Sequence, residues 1–414
     1  MKQELYQFDE TFLPQETLKE IADSLPTPFY LYDECGIRKQ VQRFFQAFHW
    51  APEYRQFFPV SLAPLPGLLR ILREEGCGVC CSSLAELLLA ERCGFSGVQI
   101  LYAPFFPDAQ ACEKMRALKA GLVLDNMDSA DFVLMKGYLP DRISLRYHPS
   151  EKYTTGSRTR VNVSRLLLGM PKNELLNLAK VLRDAGVKQL GLSVQLTKQC
   201  SDQELYAMAA DLLFNLAKEL RQIGVEVSFC DLGGGIGLGF LPEELDLDPV
   251  DVAGSLEAYL DGKAPAWFRQ MALWSSAGRS ITGASGIFVA RVLATKQAAR
   301  SVMIVDASVT QFPRVLRGSY HHVSVVGKLD MQGRSMYDVV GCVPDQFDRF
   351  ADRRILPRVT AGDYCVFHHA GFDSGAMQSS YGGQPVCGEY LYCRDGTIQT
   401  LRKPGTAEDL LREW

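Results

Sequence analysis

Three consecutive glycines, Gly233, Gly234 and Gly235, follow an apolar segment that predicts a β-strand. Because glycine has no Cβ atom, such a loop lets backbone N–H groups approach a phosphate, and a helix N-terminus after the loop would add a favourable dipole. Gly278 and Arg279 come later, and the Arg279 guanidinium could donate two hydrogen bonds to the same phosphate. The residues also suit a tight strand-to-helix turn and an arginine–carboxylate pair. Both interpretations stay open from the residues alone.

Other side chains could transfer protons or hydrogen-bond a ligand. His148 and Gln195 follow strand-like segments directly, and three further candidates lie in the C-terminal third of the chain. Imidazole, carboxyl and phenol groups can act as general acids or bases, and a carboxamide can bind polar groups. The candidate catalytic residues are therefore His148, Gln195, Asp345, Asp373 and Tyr381.

Two adjacent histidine pairs, at 321–322 and 368–369, and the Cys77-x-x-Cys80 spacing could suggest a metal. Neighbouring residues of a strand face opposite sides, so only one histidine of each pair could point into a site. The pairs lack metal-ligand spacing with carboxylates, and no second Cys/His pair lies at a suitable distance from the cysteines. Hydrogen-bonded structural histidines and reduced thiols are the favoured interpretations, and no metal site is expected.

Alternating strand and helix patterns place these residues at strand ends. Eight short apolar segments are separated by segments with helical apolar spacing, as in an α/β (β/α)8 barrel. A doubly wound sheet would have fewer repeats and a switch point. Active sites of such barrels lie at the carboxyl ends of the strands. The predicted barrel strands span 57–60, 78–81, 98–102, 121–125, 143–147, 189–194, 225–232 and 271–274.

After Arg279 the pattern changes to short strands with turns between them, which predicts a separate β-domain. Helical spacing is scarce there until residue 407. The chain is thus expected to form a barrel over 28–280 and a β-domain from 281–414 with the lead-in 1–27. The predicted strands of the β-domain span 287–295, 302–306, 323–326, 338–343, 363–367 and 389–394.

Composition excludes several functional classes. The 414 residues carry a net charge of −4, with 44 basic and 48 acidic side chains, so no electrostatic case for nucleic-acid binding exists. No apolar stretch is long enough for a membrane span, and the N-terminus lacks the apolar core of a signal peptide. A cytoplasmic protein without nucleic-acid or membrane partners is expected.

Seven short phrases fall in the order found in one protein family. The chain resembles the fold-type III pyridoxal-phosphate (PLP) decarboxylases, which include diaminopimelate, ornithine and arginine decarboxylases, over nearly its whole length. The resemblance implies a TIM-like barrel with a C-terminal β-domain, a homodimer, and PLP phosphate binding by the glycine loop and by Gly278 and Arg279. A short tail, 402–409, is similar to the branch that decarboxylates carrier-bound amino acids in natural-product pathways. The seven phrases lie at 27–33, 74–79, 231–237, 278–279, 305–307, 318–321 and 361–363.

The residues that the family uses for PLP chemistry are replaced at six positions. This chemistry needs an amine for a Schiff base, an acid at the pyridine nitrogen and a group stacked on the ring. Ser61 stands where the family has its lysine, and a hydroxyl cannot form an imine. The negative charge of Asp373, in place of a phosphate-contacting tyrosine, would repel a phosphate. The other replacements are Cys80 for an acid near the lysine, Ser193 or Gln195 for the stacking histidine, Ser276 for the pyridinium carboxylate, and Pro344 for a cysteine supplied across the dimer interface, with Cys342 two residues away.

Three functional interpretations follow. The favoured one is an enzyme repurposed for an amino-acid-derived or carrier-bound substrate in specialised, natural-product metabolism, with PLP absent or bound weakly without a Schiff base. The second is a non-catalytic pseudoenzyme that regulates or completes an active decarboxylase, as a heterodimer with an active paralogue. The third is a PLP-dependent decarboxylase that carries a single lysine-to-serine substitution at Ser61. Six replaced positions disfavour the third interpretation.

Overall fold

The computed structural model describes most of the chain, which forms two compact units. One unit comprises Arg38–Leu238 and Asp246–Ser280, and the other comprises Met1–Ile37, Gly239–Leu245 and Ile281–Trp414. Residues 1–9 of the predicted lead-in and Ser319 of the phrase 318–321 lie outside the described residues. The described ranges are 10–149, 152–154, 160–162, 166–197, 200–244, 246–297, 300–318, 320–328, 333–373 and 375–413.

The strands and helices are numbered in chain order. The strands are β1 (Phe29–Asp33), β2 (Arg55–Pro59), β3 (Gly78–Cys81), β4 (Ile100–Tyr102), β5 (Gly121–Leu124), β6 (Arg142–Tyr147), β7 (Lys152–Thr154), β8 (Arg160–Asn162), β9 (Gln189–Val194), β10 (Phe229–Asp231), β11 (Ala272–Ser275), β12 (Gly286–Gln297), β13 (Ser301–Val305), β14 (Val323–Val325), β15 (Ser335–Val340), β16 (Arg349–Leu356), β17 (Tyr364–Phe367), β18 (Gly388–Tyr392) and β19 (Ile398–Arg402). The α-helices are α1 (Gln15–Ser24), α2 (Glu34–Ala47), α3 (Pro66–Glu74), α4 (Leu84–Arg92), α5 (Ala109–Ala117), α6 (Met127–Met135), α7 (Lys172–Asp184), α8 (Glu204–Gln222), α9 (Pro249–Lys263), α10 (Ala266–Arg269), α11 (Arg279–Thr282) and α12 (Ala407–Glu413).

Eight parallel strands close into a barrel in the order β10-β11-β2-β3-β4-β5-β6-β9. This confirms the predicted (β/α)8 barrel and all eight of its predicted strands. Helices follow the strands because polar residues cap their first turns. Ser83, Asp108 and Asn126 each accept a hydrogen bond from a backbone N–H in the first turn of α4, α5 and α6. These three strands end at one rim of the barrel, and His148 and Gln195 follow the ends of β6 and β9 at the same rim.

An aromatic cluster fills the middle of the barrel. The rings of Phe229 and Trp274 stack with centroids 3.6 Å apart, and the ring of Phe57 lies 5.3 Å from that of Trp274. A Cβ atom at Gly191 would overlap the Phe229 ring, and one at Gly78 would lie 2.7 Å from the Phe57 ring. Glycine on a neighbouring strand therefore makes room for each ring, and the barrel is a packed core rather than a pore.

The second unit contains a mixed sheet in the order β16-β15-β13-β12-β1-β18-β19, with β17 paired to β12 and β14. The predicted β-domain is confirmed, although β16 and β19 were not predicted. Strand β1 pairs antiparallel with β12 and parallel with β18. The sequence analysis assigned this segment to a barrel beginning at residue 28, whereas the barrel unit begins at Arg38. A short apolar strand has the same pattern in either sheet, so only its pairing reveals the difference.

The first residue of the tail 402–409 lies in this sheet and contacts a buried carboxylate. Arg402 ends β19, and its Nε lies 3.1 Å from Oε1 of Glu389, while the Tyr32 hydroxyl donates to Oε2 of the same carboxylate at 2.7 Å. Burial raises the pKa of Glu389, and the charge of Arg402 lowers it. Arg402 therefore neutralises a buried carboxylate. Within the described ranges no helix is both long and apolar enough to cross a membrane.

Candidate functional site

A layer of polar side chains covers the aromatic cluster at the rim of the barrel. Side chains two residues apart on a strand face the same way. Four polar residues each lie two positions after a residue of the aromatic cluster or after a glycine packed on it, and they therefore face the same side: Cys80, Ser193, Asp231 and Ser276. Arg146 pairs with Ser193, and Ser193 with Asp231, in the parallel register of β6, β9 and β10. These five residues are called the polar layer below. Three of the six replaced positions lie in it, namely Cys80, Ser193 and Ser276.

An ion pair supplies charge to the polar layer. Nη1 of Arg146 lies 2.6 Å from Oδ1 of Asp125, and the two side chains are 16% and 2% exposed. Burial raises the pKa of Asp231, while the hydrogen bond from the Gly233 N–H and the charge of Arg146 lower it. Burial also raises the pKa of the Cys80 thiol to about 12, so this thiol is protonated at neutral pH. The layer and the adjoining Asp125 together present one guanidinium and two carboxyl groups, which suits a ligand with charges of both signs.

The glycine loop donates two of its N–H groups to side chains of the protein. Gly233 N–H donates to Oδ1 of Asp231 at 2.8 Å, and Gly234 N–H donates to Oε1 of Gln195 at 3.1 Å. The Gln195 carboxamide also donates to the Thr197 carbonyl, which fixes its orientation. Gln195 therefore lies against the loop with its carbonyl oxygen at a position where a phosphate oxygen would accept a hydrogen bond.

Ser276 and Gly278 pack closely against neighbouring loops of the barrel. Ser276 N–H donates to the Gly233 carbonyl at 2.9 Å. A Cβ atom at Gly278 would overlap Leu62, which belongs to the single 3₁₀ turn that contains Ser61. Glycine is thus required at 278 for close approach to this turn. Ser61 itself is exposed, and Arg279 is half-buried at the start of α11.

His148 follows the end of β6 and is held there by two backbone contacts. Its Nδ1 lies 2.9 Å from the Leu168 carbonyl, and its backbone N–H donates to the Met170 carbonyl. A carbonyl can only accept, so Nδ1 carries the proton and Nε2 is the atom that can exchange one. His148 is half-buried, and it stays a candidate for proton transfer.

In the second unit, Asp373 is paired with two arginines. Oδ2 of Asp373 lies 2.8 Å from Nη1 of Arg314 and 3.7 Å from Nη1 of Arg317. The Arg314 guanidinium also lies 4.9 Å from the ring centres of both Phe240 and Phe372. The expected repulsion of a phosphate by Asp373 rests on its charge alone, and together with Arg314 and Arg317 the three charged groups sum to one positive charge.

The segment around Pro344 is built on a buried carboxylate. Asp348 accepts from the N–H groups of Val309 and Val343 at 2.7 and 2.8 Å, which holds the segment in place. Pro344 and Cys342 are exposed. The Tyr381 hydroxyl donates to Oδ2 of Asp345 at 3.0 Å, and this bond raises the pKa of Tyr381.

The structure pairs these two predicted candidates, Asp345 and Tyr381, on one exposed surface.

The histidine pairs make structural hydrogen bonds. Nδ1 of His321 lies 2.7 Å from the His368 carbonyl, and Nε2 of His368 lies 2.7 Å from the Ser324 hydroxyl. Burial lowers the pKa of His321 to about 3 and lowers that of His368 as well. Both are neutral at physiological pH. Among the described residues no group of three His, Cys, Asp or Glu side chains could hold a metal ion.

The chain matches known proteins over nearly its whole length. Residues 35–283 match the family model described as pyridoxal-dependent decarboxylase, pyridoxal binding domain. The chain belongs to this family. It is 30% identical to Protein TabA of Pseudomonas amygdali pv. tabaci over 394 residues, which cover 95% of this chain and 92% of the relative. It is also 30% identical to the diaminopimelate decarboxylase of Methanothermobacter thermautotrophicus over 407 residues, with the same coverages.

A solved structure agrees on the fold. The diaminopimelate decarboxylase of Helicobacter pylori complexed with L-lysine superposes with a TM-score of 0.84 at 24% identity, and covers 96% of this chain and 98% of that one. At this identity the superposition establishes the fold alone. The decarboxylase family binds PLP, so the residues present here can be tested against that cofactor.

The polar layer and the glycine loop do not fit PLP held as the resemblance implies. Ser61 offers a hydroxyl where an amine is needed, and Ser276 offers no charge for a pyridine nitrogen. Two N–H groups of the loop already donate to Asp231 and Gln195. No step through a covalent PLP adduct follows from these residues.

Sequence reasoning did not single out the charged members of the site. Asp125, Arg146 and Asp231 each lie at or next to the end of an apolar strand, and a charge in such a segment is a signal of an inward, functional position. Their mutual contacts join residues 21 positions apart and more. The register of the barrel brings them together, and this register is not visible in the pattern of one strand.

Proposed function

We propose that this chain is a repurposed member of the decarboxylase family that binds an amino-acid-derived or carrier-bound substrate without a covalent bond to PLP. The carrying observation is the part-buried Arg146–Asp125 pair beside Asp231, in the layer where the resemblance implies replaced PLP-handling residues. Burying these charges is costly unless they are paired or used. A ligand with a carboxylate and an ammonium group would meet a partner of opposite sign for each.

In this proposal three residues at the rim bind the substrate or transfer a proton. Arg146 would bind a carboxylate through its outer N–H groups, and Asp231 would face an ammonium group. Nε2 of His148 would move a proton, since Nδ1 is held by the Leu168 carbonyl. The place in specialised metabolism rests on the similarity of the tail 402–409. Homodimerisation rests on family membership.

Replacing Ser61 by lysine is expected to restore neither a PLP Schiff base nor decarboxylation. Ser61 is exposed, so a lysine can be accommodated, but Cys80 and Ser276 would still supply no carboxylate. The measurement is the visible absorbance of purified wild-type and Ser61→Lys proteins after incubation with PLP, together with carbon dioxide release from a panel of amino acids. If Ser61→Lys gained both the colour and amino-acid decarboxylation, the single-substitution interpretation would replace this proposal.

Replacing Gln195 by alanine is expected to tighten binding of inorganic phosphate or PLP about fivefold. The variant releases the Gly234 N–H from the carboxamide, and one hydrogen bond contributes about 1 kcal/mol. Titration calorimetry with both ligands measures the change, and Gln110→Ala, at an exposed position of α5, is the control. Equal affinities in Gln195→Ala, Gln110→Ala and the wild type would show that Gln195 does not compete with a phosphate.

A non-catalytic partner of an active decarboxylase is the second candidate. Its support is the exposed segment around Pro344, where Phe347 is 67% and Tyr381 is 64% exposed beside the Asp345–Tyr381 hydrogen bond. Exposed aromatic side chains of this size are common at interfaces.

Replacing His148 by alanine in the producing organism separates the candidates. The pathway product should disappear if the chain is an enzyme and persist if the chain only completes a paralogue, which would then co-purify with it.

A further inference from the structure

A groove at the opposite end of the barrel is lined by three basic side chains. It lies where β4, β5 and β6 begin, and its volume of about 400 Å³ is within the range of small-molecule sites. Arg116, Lys119 and Arg142 line it, with Asp141 as its acidic residue. Asp141 already pairs with Lys188 at 3.0 Å. The lining therefore has an excess of positive charge in a chain whose net charge is −4.

Within the described part of the chain, the three cations form no ion pair or hydrogen bond with a carboxylate, and Asp141 acts on Arg142 only through its charge. Arg116 donates to the Gly137 carbonyl at 3.1 Å, and Nε of Arg142 donates to the Gln189 carboxamide at 2.9 Å. The Arg142 guanidinium also lies 6.0 Å from the centre of the Trp274 ring. Burial, and then the charge of the neighbouring Arg55, lower the pKa of Arg142, while the charge of Asp141 raises it. An anion in the groove would relieve this repulsion.

Lys119 occupies a backbone position that usually requires glycine. Its φ of +53° is in the left-handed region. Glycines with positive φ follow five other barrel helices, where they end the helix without strain. A lysine at this position is a local disadvantage, and Lys119 is one of the residues that line the groove. The five glycines are Gly76, Gly94, Gly137, Gly186 and Gly224.

We infer that this groove binds a small phosphate-bearing anion with two or more negative charges. Two guanidinium forks and one ammonium match the acceptor oxygens of a phosphate ester, and lysine serves phosphate as a point charge. The site is independent of the polar layer at the rim, since it uses the loops at the other ends of the strands. It concerns binding and adds no chemical step.

The test uses inorganic pyrophosphate and titration calorimetry on the full chain. The wild type should bind, and Lys119→Gly and Arg116→Gln should each weaken binding about tenfold, as for one charge-assisted hydrogen bond. Lys172→Met, at an exposed pair with Glu219, is the control and should bind as the wild type does. The Lys119→Gly variant should melt at the same or a higher temperature, because glycine relaxes the positive φ. Loss of pyrophosphate binding by Lys119→Gly would then not reflect unfolding of this variant.

Several results would overturn the inference. One is no binding of pyrophosphate by the wild type at millimolar concentration. Another is unchanged affinity in both Lys119→Gly and Arg116→Gln. Citrate binding as tight as that of pyrophosphate would assign the groove to polycarboxylates and contradict the phosphate class.

Discussion

Replacing Arg146 by methionine is expected to lower the free energy of unfolding by about 3–5 kcal/mol at neutral pH, as for a buried pair that loses one partner. The variant keeps most of the side-chain volume and leaves the Asp125 carboxylate, which is 2% exposed, without its counter-charge. The nearby Asp231 also loses a favourable interaction. Urea denaturation measured by circular dichroism gives the difference.

The loss of unfolding free energy in Arg146→Met should be larger at high pH than at low pH. The pKa of Asp231 is raised by burial, and removing Arg146 raises it further. A carboxyl group whose folded pKa exceeds its unfolded value contributes stability below the unfolded pKa, near 3.9, and loses it as pH rises through the folded pKa. The deficit of Arg146→Met should therefore be larger at pH 8 than at pH 5. A deficit that grew toward acid pH would contradict this assignment.

An exposed ion pair provides the matched control for Arg146→Met. Lys172 and Glu219 lie 3.0 Å apart with side chains 48% and 40% exposed, so Lys172→Met should change the free energy by less than about 1 kcal/mol. The double variant Arg146→Met/Asp125→Asn should recover part of the loss, because the uncompensated carboxylate is gone. If Arg146→Met were no more destabilised than Lys172→Met, the pair would not hold the polar layer, and the proposed function would lose its support.

The barrel was predictable because each strand carries its own signal. Apolar segments alternate with helical spacing, and this local pattern fixes the number and order of the strands. The positions of Cys80, Ser193 and Ser276 relative to the barrel interior also follow from period-two alternation once the strands are known. Their arrangement in one layer gives the replacements a common location. The sequence analysis identified them separately.

The contacts of the site could not be predicted, since they join distant parts of the chain. Gln195 reaches Gly234 across 39 positions, and Arg314 reaches Asp373 across 59. A glycine loop has the same sequence whether its N–H groups point to a ligand or to a carboxamide. An aspartate at position 373 likewise does not reveal from the sequence whether its carboxylate forms an ion pair. Long-range register decides these questions, and a single sequence does not contain it.

The Arg314–Asp373 pair is expected to stabilise the second unit. Its side chains are 6% and 9% exposed, and the Arg314 guanidinium packs against the neighbouring rings of Phe240 and Phe372. Asp373→Asn should lower the free energy of unfolding by about 3–5 kcal/mol, since it leaves a buried guanidinium without its carboxylate. Asparagine tolerates the φ of +60° at this position, so the change tests charge rather than backbone strain.

A double-variant cycle separates the pair from its surroundings. Arg314→Met keeps an apolar stem against the two rings, so the double variant Arg314→Met/Asp373→Asn should be more stable than Asp373→Asn alone. Asp184→Asn, which removes an exposed carboxylate 2.8 Å from Arg183, should change the free energy by less than about 1 kcal/mol. Additive effects of the two single changes would mean that Arg314 and Asp373 do not stabilise one another. The negative charge of Asp373 would then be compensated by other groups, and the assignment of Asp373 as the ion-pair partner of Arg314 would be wrong.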